Sequence, residues 1–114
     1  MSMTENLEAL IKSGRDGAPV RFALASRYAA EGVLDRALEH AQVAVDLDPD
    51  YSAAWKLLGR VLAESGRAGE AAEAYRRGID VAERRGDQQA AKEMRVFLKR
   101  ITRASADRGS DKNN

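Results

Sequence analysis

Sliding the chain along itself by 34 residues superposes Leu24 on Leu58, Gly32 on Gly66, Ala37 on Ala71, Glu39 on Glu73 and Asp46 on Asp80. Small residues coincide too, Ala25 with Gly59, Ala29 with Ala63 and Ala44 with Gly78. A period this long exceeds any heptad. It marks stacked supersecondary units, each too small to bury its apolar face alone. The fold therefore has to be a row of such units, each covering its neighbour.

Within a unit the spacing is helical. Trp55, Leu58, Gly59 and Leu62 recur at three- and four-residue steps and share one face. Gly66 then supplies the left-handed residue on which a helix can end. Ala71, Ala74, Tyr75, Gly78 and Ile79 form the inward stripe of a second helix. Two helices joined by a short turn must approach closely, so small residues belong at 59, 71 and 78. Aromatics make up 5% of the chain against 44% hydrophobic residues, which suits a core of Ala and Leu rather than rings.

These residues resemble the tetratricopeptide repeat, whose pattern is Trp-x2-Leu-Gly-x2-Tyr, then Ala-x3-Phe, then Pro. Residues 52–85 supply Trp55, Leu58, Gly59, Leu62, Ala71 and Tyr75 but lack the closing proline. Residues 18–51 supply Leu24, Ala25, Tyr28, Ala37, Ala44 and Pro49, with Arg21 where the large aromatic belongs. The resemblance covers about two thirds of the chain and implies an all-α fold. That fold is a right-handed superhelical stack of antiparallel helix pairs, a solenoid of about six helices.

Counting back from Ala37, Ala41 and Ala44 lands on Met3, Leu7 and Leu10, so residues 3–13 read as the second helix of a truncated leading unit. Ser2 and Glu5 have capping-box spacing at its start, and Gly14 closes it. After Gly86, residues 87–103 carry Ala90, Ala91, Met94, Phe97, Leu98 and Ile101 on one face, in a register that slips by a residue or two. The expected helices are 3–13, 19–31, 34–47, 51–65, 68–85 and 87–103. The expected domain spans 1–103: a leading half-repeat 3–17, repeats 18–51 and 52–85, and the capping helix 87–103. Residues 104–114 have no apolar periodicity and read as a disordered tail.

Several functions are disfavoured by the same residues. The chain has no cysteine, so disulfides, thiolate catalysis and Cys-based metal sites are excluded. No Walker or dinucleotide-type glycine loop is present, and the single His40 has no second His to share a metal. It reads as a surface or half-buried residue. Asp46, Asp48 and Asp50 begin like a calcium loop, but Tyr51 stands at its sixth position and Leu57 at its twelfth, where Gly and Glu are needed. Pro49 between helices and Asp50 as a cap explain that run better. No metal, cofactor or catalytic residue is expected, and the chain reads as a non-enzyme.

A net charge of +1 provides no whole-molecule attraction to nucleic acid or to an anionic membrane. With no leader-like N-terminus and no apolar run long enough to span a bilayer, the expected location is the cytoplasm. Lys92, Arg95, Lys99, Arg100 and Arg103 form a basic stripe on the last helix, read as a solvated outer face, with an RNA contact as the lesser reading.

The resemblance implies that the first helix of each pair lines a concave surface. The implied groove positions are Pro19, Phe22, Ser26, Ala29 and Ala30, then Ala53, Lys56, Arg60, Ala63 and Glu64. Some family members grip C-terminal carboxylates with Lys-x3-Asn, Asn and Lys-x3-Arg in successive units. Only the last is present here, as Lys56 and Arg60, and the third frame offers Ala90 and Met94. On the bland reading, Arg60 pairs with Glu64 and Lys56 is merely solvated. The expected function is an interaction module holding a peptide or helix of another protein, an acidic one if the cations contact it. Phe22, Ser26, Lys56 and Arg60 are the candidate contacts. The alternative is a structural, self-associating component of a larger assembly, in a monomer–dimer equilibrium weighted toward monomer, because Phe97, Leu98 and Ile101 lack a following helix to cover them.

Overall fold

The structure, a computed structural model, describes residues 2–112, with side chains through residue 106. Among the described residues there are six helices and no strand: α1 Met3–Lys12, α2 Ala18–Ala30, α3 Leu34–Leu47, α4 Ser52–Glu64, α5 Ala68–Arg84 and α6 Gln88–Lys112. Each helix packs on the next, and α2 also touches α4 while α4 touches α6, so the alternate helices line up along one side.

The turns explain the regularity. Gly66 sits at φ +78° after α4, the Gly66 N–H donates to the Ala63 carbonyl at 3.1 Å, and the Arg67 N–H reaches back to Leu62 at 2.9 Å. That double closure caps two otherwise orphaned carbonyls and needs a residue free to take positive φ. Gly14, Gly32 and Gly86 repeat the geometry after α1, α2 and α5. Of the five connections between the described helices, only the one after α3 differs. Asp48 is extended ahead of Pro49, as the proline ring requires, and the Tyr51 N–H closes the turn onto the Asp48 carbonyl at 3.1 Å. At the start of α1 the Glu5 N–H donates to Ser2 Oγ at 3.1 Å, the expected cap.

The core is made of close approaches. Ala25, Ala37, Ala41, Ala44, Ala54, Ala71, Ala82 and Ala91 have no exposed surface. A Cβ on Gly59 would lie 2.6 Å from the Tyr75 ring, and one on Gly78 would lie 2.5 Å from Met94 Sδ and 2.8 Å from Trp55 Cβ. Neither site has room for a methyl group, so α5 can sit directly against the backbone of α4.

Three expectations need correction. Asp50 does not cap α4, because the N-cap is Tyr51 and no side chain bonds there. One residue too early for the first-turn N–H groups, the Asp50 carboxylate faces Arg84 at 3.6 Å instead. The last helix does not stop at Arg103 but continues to Lys112. Loss of apolar periodicity marks the end of the packed face, the last packed member being Ile101, whereas Ala104, Ser105 and Ala106 still suit a helix. Asn113 and Asn114 lie outside the described residues.

The third correction concerns the register of α6. Leu58 and Leu62 in α4 are buried against α5, while their frame equivalents in α6, Lys92 and Val96, are exposed, Val96 by 45%. No helix follows α6 among the described residues to complete its pair. Its buried residues, Ala91 and Met94, are the ones that meet α5. Phe97, Leu98 and Ile101, expected to form an uncovered strip, pack on that same inner side.

Candidate functional site

The groove forms where first helices stand side by side. Phe22 and Ser26 on α2, and Lys56 and Arg60 on α4, are each four residues apart, so each pair projects from one face of its helix. Phe22 and Lys56 share one repeat position, and Ser26 and Arg60 share another, so the two faces run in step. All four line a single cavity of about 440 Å³, together with Ala53, Leu57 and Phe97 of α6. Phe22 is steadied by Tyr51, whose ring centroid lies 5.1 Å away. Of the other implied positions, Pro19 lines a separate hollow with Asp48, Tyr51 and Asp87, and Ala29 is buried.

The cations are not simply solvated. Arg60 Nε pairs with Glu64 Oε1 at 3.0 Å along its own helix. Lys56 Nζ crosses the groove to the Glu93 carboxylate on α6, and Gln89 Nε2 donates to the other oxygen of Glu93 at 2.9 Å. The Lys56 hydrogen bond, helped by that of Gln89, holds the Glu93 carboxyl below the usual carboxylate range. Sequence reasoning missed both Glu93 and Phe97 as groove residues. The frame assigns Ala90 and Met94 to these places, but Met94 is fully buried against Gly78. A shift of three residues, nearly one turn, brings Phe97 to the cavity wall and Glu93 within reach of Lys56. The spacing of Glu93 to Phe97 matches that of Lys56 to Arg60, and this was the available signal.

The frame position of Trp55 in the second unit is held in the first by Arg21, and a chain of polar contacts takes over the site. Arg21 Nε and Nη2 grip the two oxygens of Asp16 at 2.8 Å each, and Nη1 donates to His40 Nδ1 at 3.1 Å. The His40 ring stacks on Tyr28 at 5.7 Å and 6°, and the Tyr28 hydroxyl donates to Glu8 Oε1 on α1 at 2.5 Å. His40 is 5% exposed, deeper than a surface or half-buried reading allows. A guanidinium only donates, so Nδ1 is the acceptor and the ring proton sits on Nε2, which is buried with no partner among the described residues.

Burial first, with Arg21 and Arg36 assisting and Glu39 and Glu8 opposing, pushes the His40 pKa below its ordinary value. Protonation would also turn Nδ1 into a second donor facing Arg21. The unfolded chain therefore takes up a proton below about pH 6.5 more readily than the folded one. Stability is complete above that pH and falls as the pH drops toward the folded value. The melting temperature should decline as the pH is lowered from about 6.5 to about 5.5, and His40→Gln should flatten the decline. A wild-type melting temperature constant over that interval would contradict the assignment.

The basic stripe on α6 is partly engaged. Arg95 pairs with Glu83, and the Arg100 guanidinium lies 5.8 Å from the centre of the Phe97 ring. Lys99, Arg100 and Arg103 line a shallow outer face with Val96. The loop aspartates have separate partners: Asp46 accepts from Gln42 at 3.1 Å, Asp48 from the Asp50 N–H at 3.1 Å, and Asp50 faces Arg84. Among the described residues no helix is long and apolar enough to cross a membrane.

Comparison with known proteins agrees with the architecture. The sequence pattern of the Tetratricopeptide repeat family matches residues 28–94. A TPR repeat-containing protein of Pseudomonas aeruginosa is 44% identical over 102 residues, covering 90% of this chain and 97% of that protein. The solution structure of a Bordetella parapertussis protein superposes with a TM-score of 0.80 at 43% identity, covering 93% of this chain and 92% of the other. The crystal structure of a tetratricopeptide repeat domain protein from Salinibacter ruber gives 0.72 at 28% identity, over 76% of this chain and 97% of that one.

Proposed function

Because the chain belongs to the tetratricopeptide-repeat family, whose members are typically non-enzymatic scaffolds that bind other proteins, we propose that its concave groove holds an acidic segment or helix of a partner protein. The observation that carries this reading is the convergence of Phe22, Leu57 and Phe97 with Lys56 and Arg60 around one cavity, from three alternate helices. An apolar side chain of the partner enters between the rings, and a neighbouring carboxylate meets the cations. Ala53 keeps the floor shallow, which suits a peptide better than a compact small molecule. Cations this exposed contribute modestly, so the affinity is micromolar and weakens with salt.

Self-association has less support, because the apolar strip of α6 faces inward, and a monomer with at most weak dimerisation fits better. A random-peptide display selection on the full chain tests the reading. Enriched sequences should pair Asp or Glu with a large apolar residue, and their retention should fall with added salt. Enrichment of basic or uncharged sequences would contradict it.

A further inference from the structure

Resting on the groove reading above, the geometry points to Glu93 as a built-in competitor for the site: in the free chain its carboxylate occupies Lys56 as a partner's carboxylate does in the complex, so α6 sets the threshold for acidic ligands. Three observations converge on this residue. The Lys56–Glu93 pair joins two different helices across the groove, with side chains 36% and 35% exposed, so solvent and ligand reach it. Gln89 donates to the second Glu93 oxygen from one turn earlier on α6, orienting the carboxylate toward Lys56. Phe97, one turn further on, lines the same cavity, so the helix that carries the competing carboxylate also carries one wall of the apolar pocket.

Arg60 is placed differently. Its partner Glu64 lies on the same helix four residues away, so exchange there leaves the relation of α4 to α6 unchanged. Exchange at Lys56 cuts a tie between them. On the outer side of α6, Lys92 and Val96 are exposed, so among the described residues no element behind the helix holds it there.

The strength of the contact suits such a role. Exposed pairs of this kind shift an equilibrium by no more than about fivefold, enough to reject weak ligands and too little to block a good one. Linkage requires the effect to be reciprocal: a ligand that takes Lys56 must release Glu93.

The test uses the full chain and a fluorescein-labelled peptide alternating leucine and glutamate, read by polarisation. Four proteins are compared: wild type, Glu93→Gln, Lys56→Gln and the double variant. Glu93→Gln should tighten binding roughly three- to fivefold, Lys56→Gln should weaken it, and in the Lys56→Gln background Glu93→Gln should have no further effect. Tightening that persists in that background would mean general charge repulsion and would overturn the proposal. Weakening by Lys56→Gln with no effect of Glu93→Gln would overturn it while leaving the groove reading intact. If neither variant alters binding, or the peptide does not bind, the groove reading fails and this inference with it. An independent readout is the side-chain carboxyl resonance of Glu93. Its titration midpoint should move up toward the ordinary glutamate range when the peptide is bound, and an unmoved midpoint would count against the exchange.

Discussion

Replacing Trp55 by alanine should lower stability by about 3–5 kcal/mol, the usual cost of removing a large buried aromatic side chain. Trp55 is 8% exposed, its Nε1–H donates to the Pro49 carbonyl at 2.7 Å, and the Arg77 guanidinium lies 5.7 Å from its ring centre. It therefore ties the α3–α4 turn to α4 and α5 at once. Its Cβ faces the bare backbone of Gly78, so the cavity left by alanine cannot close unless α5 moves. Since a domain of this kind has only about 5–15 kcal/mol in total, the variant should be close to unfolding at body temperature. Trp55→Phe keeps the ring and loses the indole donor, so it should cost much less. Chemical denaturation measures both. A loss below about 1 kcal/mol for Trp55→Ala would mean that Trp55 does not hold the α3–α4 turn, α4 and α5 together.

Much of this seam was legible in the sequence. Trp55, Gly59 and Gly78 stand where a repeat with two closely packed helices needs a large ring and two bare backbones. The glycines at 14, 32, 66 and 86 placed the helix ends to within about one residue, because each closure requires positive φ. Legibility failed where a residue's surroundings depart from the repeat. Arg21 breaks the pattern at the aromatic position, and nothing in the spacing tells that Asp16, His40, Tyr28 and Glu8 assemble around it. Those partners come from three helices and a turn. The frame places Ala90 and Met94 in the groove because it assumes that α6 has a second helix to pack against. With no helix after it among the described residues, α6 packs on α5 and along α4, and turns Glu93 and Phe97 toward α4 instead. The pairing of Lys56 with Glu93 follows from that turn, and it converts a cation read as solvated into one that is already engaged.

The second large effect concerns binding. Lys56→Glu with Arg60→Glu replaces two cations by two anions in the groove, so an acidic peptide loses two attractions and meets two repulsions. Affinity should fall at least tenfold, about 1.4 kcal/mol or more. The fold loses only exposed ion pairs, which are worth less than about 1 kcal/mol each. Because Glu at position 56 would also repel Glu93, a triple variant adding Glu93→Lys restores a cross-groove pair in reversed order and separates binding from folding. The decisive measurement is the polarisation titration of the leucine–glutamate peptide against wild type, the double variant and the triple variant, with melting curves alongside. The groove account predicts that both variants melt near wild type and both lose the peptide at least tenfold. Wild-type affinity in the double variant would contradict it and move the binding surface away from the concave face.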